Sequence, residues 1–415
     1  MKLLFISQYF YPEEFRGNDI AFDWAKRGHE VTVITAIPNY PLGRFYPGYG
    51  MFKRRKEIVN GVSVVRIPVI PRGKGKGLML LLNYFSFAFL ASSYVLILLV
   101  KQSYDLVFVQ QLSPVTMALP GVLIKKVKRI PMVMWVLDLW PESLVSAGKV
   151  NNRFVVGFFD RIVKFIYNNS DRILISSKGF KNSICSKGNF EQKIEYLPNW
   201  AEETFSQSEF NMTMPEMPEM PEGFIVMFAG NIGEAQDFEN VMNAALMLRE
   251  HSCIKFVILG EGRKKKWIED FCKKNSIEDK VFLLGRFPIA LMPAFFKKAN
   301  LMLVSLKDEN VFNFTLPAKV QAYMASGKPI VGMMNGDGYD TIKLSNCGVC
   351  VNSSDYNGLA NEILKLSRKN ICELNQLGIN GYNYAKQHFD KNTLLDDLYS
   401  RHIINLVNCK NEGVK

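Results

Sequence analysis

A glycine-containing turn in the second half of the sequence is suited to binding a phosphate group. The turn, Gly-Asn-Ile-Gly at 230–233, follows the apolar run Ile225–Ala229 and precedes a helical pattern that begins at Phe238. A strand, a glycine turn and a helix in this order direct backbone N–H groups and the positive end of a helix toward an anion. Glycine also lets the backbone approach a phosphate closely, because it carries no Cβ. Glycines after strands often serve packing alone, so the turn by itself leaves both interpretations open.

Basic residues follow two further predicted strands of the same half. Arg263 ends a second glycine turn after the strand at 254–259, and Arg286 follows the strand at 281–284. Ligands of open α/β sheets bind at the carboxyl ends of the strands. We therefore expect both arginines at the same rim as the turn 230–233.

The helix predicted after Pro317 is the third candidate segment. Proline favours the first turn of a helix, and that turn would carry Lys319 and Gln321. At the positive end of a helix, Lys319 is suited to contact a phosphate and Gln321 a hydroxyl group. The residues expected to bind this ligand are Gly230, Asn231, Gly233, Arg263, Arg286, Asn313, Lys319 and Gln321.

In the first half, polar residues follow the predicted strands Lys2–Ser7 and Met132–Val136. Asp138 comes directly after the second of these, where a carboxylate is a candidate general base or a candidate hydrogen-bond acceptor for a sugar hydroxyl. Capping of the helix that begins near Pro141 is the alternative role for this carboxylate. The residues expected to bind a second ligand are Arg16, Gly17, Asn18, Asn39 and Asp138. From the two sets together, the candidates for a catalytic role are Asp138, Lys319 and Gln321.

The sequence gives no indication of a metal site or a cofactor. It contains no Asp-x-Asp motif of the kind that clamps a metal ion against a diphosphate. Cys347 and Cys350 have CxxC spacing, but no second pair or nearby histidine completes a zinc site. Small buried thiols beside a strand are the favoured interpretation.

Composition limits the class of protein. A chain of 415 residues is too long for one ordinary core and predicts two domains of about 200 residues each. The net charge of +12 favours phosphorylated ligands, anionic lipid or nucleic acid as partners, and no nucleic-acid-binding motif accompanies the basic clusters. Seven scattered cysteines and an N-terminus without secretory features predict a cytoplasmic protein.

The predicted elements form two similar α/β units with a ligand cleft between them. Residues 1–205 form the first, and a linker with three Met-Pro-Glu repeats occupies 206–222, where proline disfavours helix and sheet. The second unit covers 223–385, and a C-terminal helix at 386–415 is expected to pack back toward the first.

The segment Leu78–Val100 is long and apolar enough to span a bilayer, and it carries no charge before Lys101. The strands predicted on either side of it belong to one sheet, which a span would separate. We therefore predict two helical pieces that pack on the sheet and dip into one leaflet. The basic clusters at 53–56 and 72–76 would then lie against anionic headgroups. A wholly buried helix pair is the alternative.

Together, these motifs resemble the family-4 glycosyltransferases of the GT-B type, over nearly the whole chain. The resemblance is carried by Gly-His-Glu-Val at 28–31, the turns at 230–233 and 260–263, and Leu-Pro-Ala-Lys at 316–319 with Gly-Lys-Pro at 327–329. The motifs at 7–13, 39–41 and 138–142 are similar to the bacterial subgroup that builds colanic acid, capsule and O-antigen chains, some of whose members are assigned as L-fucosamine or fucose transferases.

The resemblance implies two Rossmann-like domains that face each other across a cleft. It implies a nucleotide sugar, of the UDP class in this subgroup, bound by the C-terminal domain. It also implies a lipid-linked glycan acceptor bound by the N-terminal domain, retention of anomeric configuration, and no metal. Retention needs little side-chain acid–base chemistry, because the leaving diphosphate can take the acceptor proton; inversion would need a base, for which Asp138 is the best candidate.

Two departures from the family pattern affect the donor site. The paired glutamates of the family, spaced Glu-x7-Glu, correspond to Asn313 and Gln321, and the arginine and lysine of its first glycine turn to Asn231 and Gln236. Positive charge must then come from Arg263, Lys264 or Lys319, of which Lys319 is preferred.

Two other classes of protein compete with the transferase. A UDP-sugar 2-epimerase of the same fold would need more carboxylates and histidines around the sugar than the four histidines supply. A non-catalytic partner subunit would account for the missing glutamates. A glycoside hydrolase would need paired carboxylates, which the sequence does not show.

Overall fold

The computed structural model describes residues 1–75, 77–146, 150, 152–202, 205 and 217–408. The chain divides into two compact units, of which the first is Met1–Leu197 with Leu395–Lys415 and the second is Pro198–Leu394. The divisions expected from the sequence were at 205 and 385, and most of the predicted linker, 206–216, lies outside the described residues.

The first unit is built on an eight-stranded sheet of order β3-β4-β2-β1-β5-β6-β7-β8, parallel except for β3 at its edge. Its inner strands are apolar runs that are buried along their length, as parallel strands covered on both faces must be. The strands are β1 (Lys2–Ile6), β2 (Glu30–Ala36), β3 (Lys56–Val59), β4 (Val62–Ile67), β5 (Leu106–Gln111), β6 (Met132–Val136), β7 (Arg172–Ile175) and β8 (Ile194–Tyr196).

The second unit has a six-stranded, wholly parallel sheet of order β11-β10-β9-β12-β13-β14. Separate apolar clusters cover its two faces. Its strands are β9 (Phe224–Ala229), β10 (Ile254–Leu259), β11 (Val281–Gly285), β12 (Leu301–Ser305), β13 (Ile330–Met333) and β14 (Gly348–Val351).

Helices connect the strands in both units. Those of the first half are α1 (Arg16–Lys26), α2 (Gly77–Lys101), α3 (Leu119–Lys128), α4 (Glu142–Ser146), α5 (Arg153–Asn169) and α6 (Phe180–Cys185). Those of the second half are α7 (Phe238–Met247), α8 (Lys265–Asn275), α9 (Met292–Lys298), α10 (Asn310–Asn313), α11 (Ala318–Ala325), α12 (Asp337–Ser345), α13 (Tyr356–Ser367), α14 (Ile371–His388) and α15 (Lys391–Asp397).

The predicted α/β class with two Rossmann-like units is confirmed. The three strands predicted at 225–229, 254–259 and 281–284 are present as β9, β10 and β11, and each differs from its predicted bounds by one residue at most at either end. In the first unit β3 was missed, because a four-residue edge strand beginning at Lys56 reads as part of a basic cluster.

Strand order identifies the ligand-binding edge of each sheet. In the first unit β1 lies between β2 and β5, and in the second β9 lies between β10 and β12, so the order of the chain reverses at β1 and at β9. Ligands of doubly wound sheets bind at the carboxyl ends of the strands beside this reversal. The loops after β1 and β9 are therefore the expected sites.

The predicted pair of helical pieces at 78–100 is one continuous helix, α2, so that prediction is wrong. Asn83, Ser86 and Ser93 do not interrupt the helix, because Asn83 bonds a neighbouring loop and both serine hydroxyls donate to carbonyl groups of α2 itself. Among the described residues, the stretch Gly77–Ile97 is the one with the length and composition of a membrane span. It connects β4 and β5 of one sheet, and 28% of its most apolar window is buried, so it is not a wholly buried core helix either.

Candidate functional site

The glycine turn at 230–233 is packed directly against the turn that follows β10. A Cβ added at Gly260 would clash with the carbonyl oxygen of Gly230, and one at Gly262 would clash with that of Ile232. Gly230 and Gly260 also have φ values of 140° and 145°, which side chains disfavour. Close backbone packing therefore accounts for these glycines whether or not a ligand binds.

Most backbone N–H groups of this turn are already bonded within the protein. Gly230 N–H donates to the Leu259 carbonyl at 2.8 Å, and Ile232 N–H donates to that of Glu261 at 2.9 Å. Gly233 N–H donates to the Gln236 side chain at 3.3 Å. The expectation of several free N–H groups is therefore wrong; among the described residues, Asn231 is the member of the turn whose N–H has no protein acceptor.

The positive end of the following helix is also occupied. α7 begins at Phe238, after a short 3₁₀ turn at Glu234–Gln236. The carboxylates of Glu234 and Glu239 lie 3.4 and 2.5 Å from the Lys264 ammonium. Lys264, one of three predicted sources of charge for the donor, is thus committed to these carboxylates, and an anion at this helix end would meet negative charge.

Lys319 is a half-buried cation of the second unit that lies beside the glycine turn. It is the second residue of α11, and its side chain runs beside the glycine turn, so that a Cβ on Gly230 would lie 2.5 Å from Lys319 Cε. Its Nζ lies 3.8 Å from the centre of the Phe228 ring. Among the described residues it has no carboxylate partner, and burial lowers its pKa to about 7. An anion at the glycine turn would supply the missing counter-charge.

Gln321 is turned away from this position. It is 2% exposed, and its Nε2 donates to the Asn199 carbonyl at 2.6 Å. Nearby, the Tyr323 hydroxyl accepts from the Ala229 N–H at 2.9 Å, which ties α11 to the end of β9. α11 therefore holds the backbone at Asn199 through Gln321 and the end of β9 through Tyr323, and its Lys319 side chain extends to the glycine turn.

Three other predicted donor residues, Asn313, Arg263 and Arg286, make no hydrogen bond or ion pair with Lys319 in the described part of the chain. Asn313 donates to Asp308 Oδ1 at 3.0 Å, and Gly336 packs tightly on the Asn313 backbone. Arg263 and Arg286 are exposed, and neither has an ion-pair partner within the described ranges. The structure thus brings together Gly230 and Lys319, and it places the two arginines on the surface.

In the first unit, the residues predicted at the start of α1 have local structural roles. A Cβ on Gly17 would clash with the Gln110 side chain of β5, so glycine is required for packing there. Asn18 accepts from the Tyr11 N–H at 3.1 Å and donates to the Glu13 carbonyl at 2.8 Å. Arg16 is the first residue of α1. These residues shape the loop after β1.

Asn39 belongs to a buried polar network that the sequence did not indicate. Its Nδ2 donates to the Ile37 carbonyl at 2.9 Å, and its own N–H donates to Glu13 Oε1 at 2.8 Å. Asn83 of α2 donates to Asn39 Oδ1 at 3.5 Å and accepts from Gln8 at 2.8 Å. Asn39, Asn83 and Glu13 are each at most 2% exposed, so the network holds the loops after β1 and β2 against α2.

Asp138 is held by donors on both carboxylate oxygens. Oδ1 accepts from the Ser143 hydroxyl and Oδ2 from Trp140 Nε1 at 3.2 Å. Burial raises its pKa. Around it, the Tyr9 hydroxyl donates to the Ser113 carbonyl at 3.2 Å, and Tyr84 of α2 interacts with Tyr9 and Ser113. The sequence analysis did not single out Tyr9 or Tyr84 as site residues, because Tyr9 lies in an aromatic loop and Tyr84 in a long apolar segment, where an aromatic residue is expected to pack in the core.

Among the described residues, no group of three or more His, Cys, Asp or Glu side chains is placed to hold a metal ion. Cys347 is fully buried and Cys350 half-buried, and burial raises their pKa values to about 11 and about 12. Both thiols are therefore protonated and unreactive at neutral pH.

Comparison with known proteins agrees with this architecture. Residues 18–200 match the family described as glycosyl transferase 4-like domain, and residues 223–369 match the family described as glycosyl transferases group 1. "Probable glycosyltransferase WbjE" of Pseudomonas aeruginosa is 27% identical over 60% of this chain, and the matched region spans 62% of WbjE. "Putative colanic acid biosynthesis glycosyl transferase WcaI" of Escherichia coli is 26% identical over 74% of this chain and 75% of WcaI.

Solved structures of glycosyltransferases have a similar fold. Alr3699/HepE of Anabaena, crystallised with UDP and glucose, superposes with a TM-score of 0.64 at 14% identity, over 96% of this chain and 98% of HepE. At that identity the likeness shows the fold alone. With the two family matches, it confirms the expected GT-B class, and the chain belongs to the family-4 glycosyltransferases of GT-B type, in the bacterial capsule and O-antigen group.

Proposed function

We propose that this protein transfers a sugar from a UDP-sugar to a polyprenyl-diphosphate-linked glycan during synthesis of a capsule, O-antigen or exopolysaccharide. The names of WbjE and WcaI and the UDP in the HepE crystal support this choice. The donor class includes N-acetylamino sugars such as UDP-N-acetyl-L-fucosamine. The observation that carries the proposal is Lys319, a half-buried lysine beside the glycine turn that has no carboxylate partner among the described residues.

The second unit binds the donor in this proposal. A diphosphate seated at the turn 230–233 would contact Lys319 and the Asn231 N–H, and the exposed Arg263 would add charge from the neighbouring turn. Charge-assisted bonds of this type are about twice as strong as neutral ones. In the transition state the diphosphate gains charge as the sugar departs, so the same lysine would stabilise the leaving group.

We propose that the reaction retains anomeric configuration and needs no metal. The leaving diphosphate takes the acceptor proton on the same face of the sugar, and the protein orients the two substrates. Asp138, whose two oxygens already accept bonds from Ser143 and Trp140, is suited to orienting an acceptor hydroxyl. In an inverting enzyme it would have to act as the base.

A membrane-borne acceptor fits an apolar surface on the first unit. This surface consists of exposed side chains of α2 and α5, joined where the Phe85 and Phe159 rings lie 6.5 Å apart. Phe89 of α2 is 71% exposed and Phe154 of α5 is 75% exposed. Arg153 stacks on Phe154 at 5.1 Å, which places a cation at the edge of the surface. We propose that this surface rests on the anionic cytoplasmic leaflet, with the protein otherwise in the cytoplasm.

Nucleotide binding tests the donor assignment. The purified protein is heated with UDP, GDP, ADP or CMP in the absence of added metal, and its thermal midpoint is measured. A rise with UDP alone is expected, because only bound ligand stabilises the folded state. No rise with any nucleotide would contradict the proposal and favour the partner-subunit alternative, which the commitment of Gln321 to Asn199 also favours.

Flotation with phosphatidylglycerol liposomes tests the membrane assignment. The wild-type protein is expected to float, and the Phe89→Ser/Phe154→Ser variant is expected to stay in the soluble fraction. Leu344→Ser/Ile371→Ser is the matched control, because these side chains of the second unit are 70% and 62% exposed. Equal flotation of all three proteins would contradict the assignment.

A further inference from the structure

A basic pocket lies beside the N-terminus of α2 and includes Arg72 and Lys74 of the basic cluster at 72–76, but none of the residues predicted to bind either substrate. It has a volume of about 450 Å³ and lies between the loop after β2 and the loop after β4. Its lining residues are Tyr40, Pro41, Leu42, Gly43, Arg44, Arg72, Gly73, Lys74 and Gly75. Three of these are cations and none is acidic. The pocket therefore has the charge of an anion-binding site.

The pocket is built on a fixed backbone. Gly43 N–H donates to the Asn39 carbonyl at 2.8 Å, and Gly73 N–H donates to the Gly43 carbonyl at 2.9 Å. A Cβ on Gly43 would clash with the Gly73 carbonyl oxygen, so the two loops touch directly. The Arg72 N–H also donates to the buried Asn39 side chain at 3.3 Å. The buried network thus holds the backbone at Arg72, and the contact of Gly43 with Gly73 holds the loop of Arg44 beside it.

The cations of the pocket are available for a ligand. Arg44, Arg72 and Lys74 make no ion pair with a carboxylate in the described part of the chain. Arg72 lies over the Tyr40 ring at 4.8 Å, which holds its guanidinium in place without neutralising it. Glu13, the carboxylate that supports this loop, carries only part of a charge at neutral pH, because burial raises its pKa to about 7.

The apolar surface of α2 begins at the pocket. The Cβ position of Gly73 lies 3.7 Å from the Cβ of Met79, which is 43% exposed in the first turn of α2. Leu42 in the pocket wall is 53% exposed, and Leu78 at the helix start is 70% exposed. A ligand with an anionic head in the pocket could therefore lay an apolar chain along α2.

We propose that Arg44, Arg72 and Lys74 bind the diphosphate of a prenyl-diphosphate-linked acceptor, whose hydrocarbon chain leaves over Met79 and Leu78. Two linked phosphates match three clustered cations, and the planar guanidinium groups can bind phosphate oxygens in pairs. This inference rests on the proposed function and names the part of the acceptor that the first unit recognises. A phospholipid headgroup has related chemistry, so the test must separate the two sources.

The first experiment uses farnesyl diphosphate as a soluble probe, titrated into the full-length protein with saturating UDP to occupy the donor site. The wild-type protein is expected to bind it, and Arg72→Ala/Lys74→Ala is expected to bind it at least tenfold more weakly. Lys273→Ala/Lys274→Ala removes two exposed lysines of the second unit and is expected to bind as the wild type does. Unchanged binding by the pocket variant would overturn the proposal.

The second experiment separates a lipid diphosphate from a general headgroup. Phosphatidylcholine vesicles carry either polyprenyl diphosphate or an equal negative charge as phosphatidylglycerol. Stronger binding to the diphosphate vesicles, lost in Arg72→Ala/Lys74→Ala, is expected. Equal binding to both vesicles would show a headgroup site and overturn the proposal. UDP should raise the thermal midpoint of the variant as it does that of the wild type, which shows that the variant is folded and that the donor assignment stands independently.

Discussion

In both units, loops are held at the carboxyl edge of a parallel sheet, but the contacts that hold them differ. In the first unit, buried polar side chains such as Asn39, Asn83 and Glu13 bond one another and fix the loops. In the second, backbone packs on backbone at the glycine turns, and the half-buried Lys319 lies beside them with no carboxylate partner among the described residues. The polar network stabilises the conformation of the loops. The unpaired lysine instead lowers the free energy of unfolding of the second unit until an anion binds. This difference is the reason for proposing that the second unit binds the donor diphosphate.

The largest expected effect tests the glycine turns. Gly260→Ala is expected to destabilise the second unit by about 3 kcal/mol or more, because its φ of 145° and the Gly230 carbonyl both exclude a Cβ. Chemical denaturation followed by a probe in the second unit measures this loss. Gly157→Ala is the control: nothing lies near its Cβ position within α5, so stability should be unchanged or higher by up to about 1 kcal/mol. Equal stability of the two variants would contradict the close packing.

The Lys319→Met substitution should weaken UDP binding and raise the thermal stability of the free protein. We expect UDP affinity to fall about 10- to 100-fold, since a charge-assisted contact is lost. The free variant should melt at a higher temperature. The unfolded lysine has a pKa near 10.5 and the folded one near 7, so the unfolded state binds more protons between these values and protonation opposes folding there.

Lys328→Met is the matched control for that variant. The Lys328 ammonium donates to the carbonyls of Lys297 and Ala299 at 3.0 and 2.8 Å, and burial lowers its pKa as it does that of Lys319, so its removal tests the loss of a desolvated lysine and should leave UDP affinity unchanged. If both variants lost stability and kept their UDP affinity, Lys319 would be a structural residue.

A smaller effect is expected in the polar network of the first unit. Asn83→Leu should cost about 2 kcal/mol, because it leaves Gln8 and the Ile70 carbonyl without their partner. UDP affinity should not change. Ser93→Ala on the same helix removes only a bond to the Phe89 carbonyl and should cost less than about 0.5 kcal/mol. Denaturant midpoints of the two variants give the comparison; similar midpoints would mean that the network does not hold the loops.

The smallest expected effect is a pH dependence from Glu13. Burial raises its pKa to about 7 from an ordinary value of 4.5, so the folded state binds the extra proton. Its contribution to stability is full below 4.5 and is lost as pH rises toward and through 7. Glu13→Gln keeps an oxygen that accepts from the N–H groups of Asn39 and Tyr40. In this variant the thermal midpoint should depend less on pH between 4.5 and 7 than in the wild type. An unchanged pH profile in the variant would place the titrating group elsewhere.

The fold was predictable because parallel strands buried on both faces leave continuous apolar runs in the sequence. Strand β3 was not predictable in this way, since an edge strand carries charged residues. The single helix α2 was not predictable either, since polar residues inside a helix can bond neighbouring loops instead of interrupting it. At the site, the position of Lys319 near the start of a helix was predicted from the proline before it, and the structure places its side chain beside Gly230. The bonded N–H groups of the glycine turn and the internal roles of Gln321, Asn18 and Asn39 depend on contacts between distant segments, which residue types and spacing do not encode.

Proton uptake on UDP binding tests the role of Lys319 most directly. Calorimetric titrations in two buffers of different ionisation enthalpy, one pH unit above the Lys319 pKa of about 7, count the protons bound with UDP. The wild-type protein should take up close to one proton, because the diphosphate restores the charge of a mostly neutral amine, and Lys319→Met should take up none. Equal proton uptake and equal UDP affinity in the two proteins would contradict the assignment of Lys319 to the donor diphosphate.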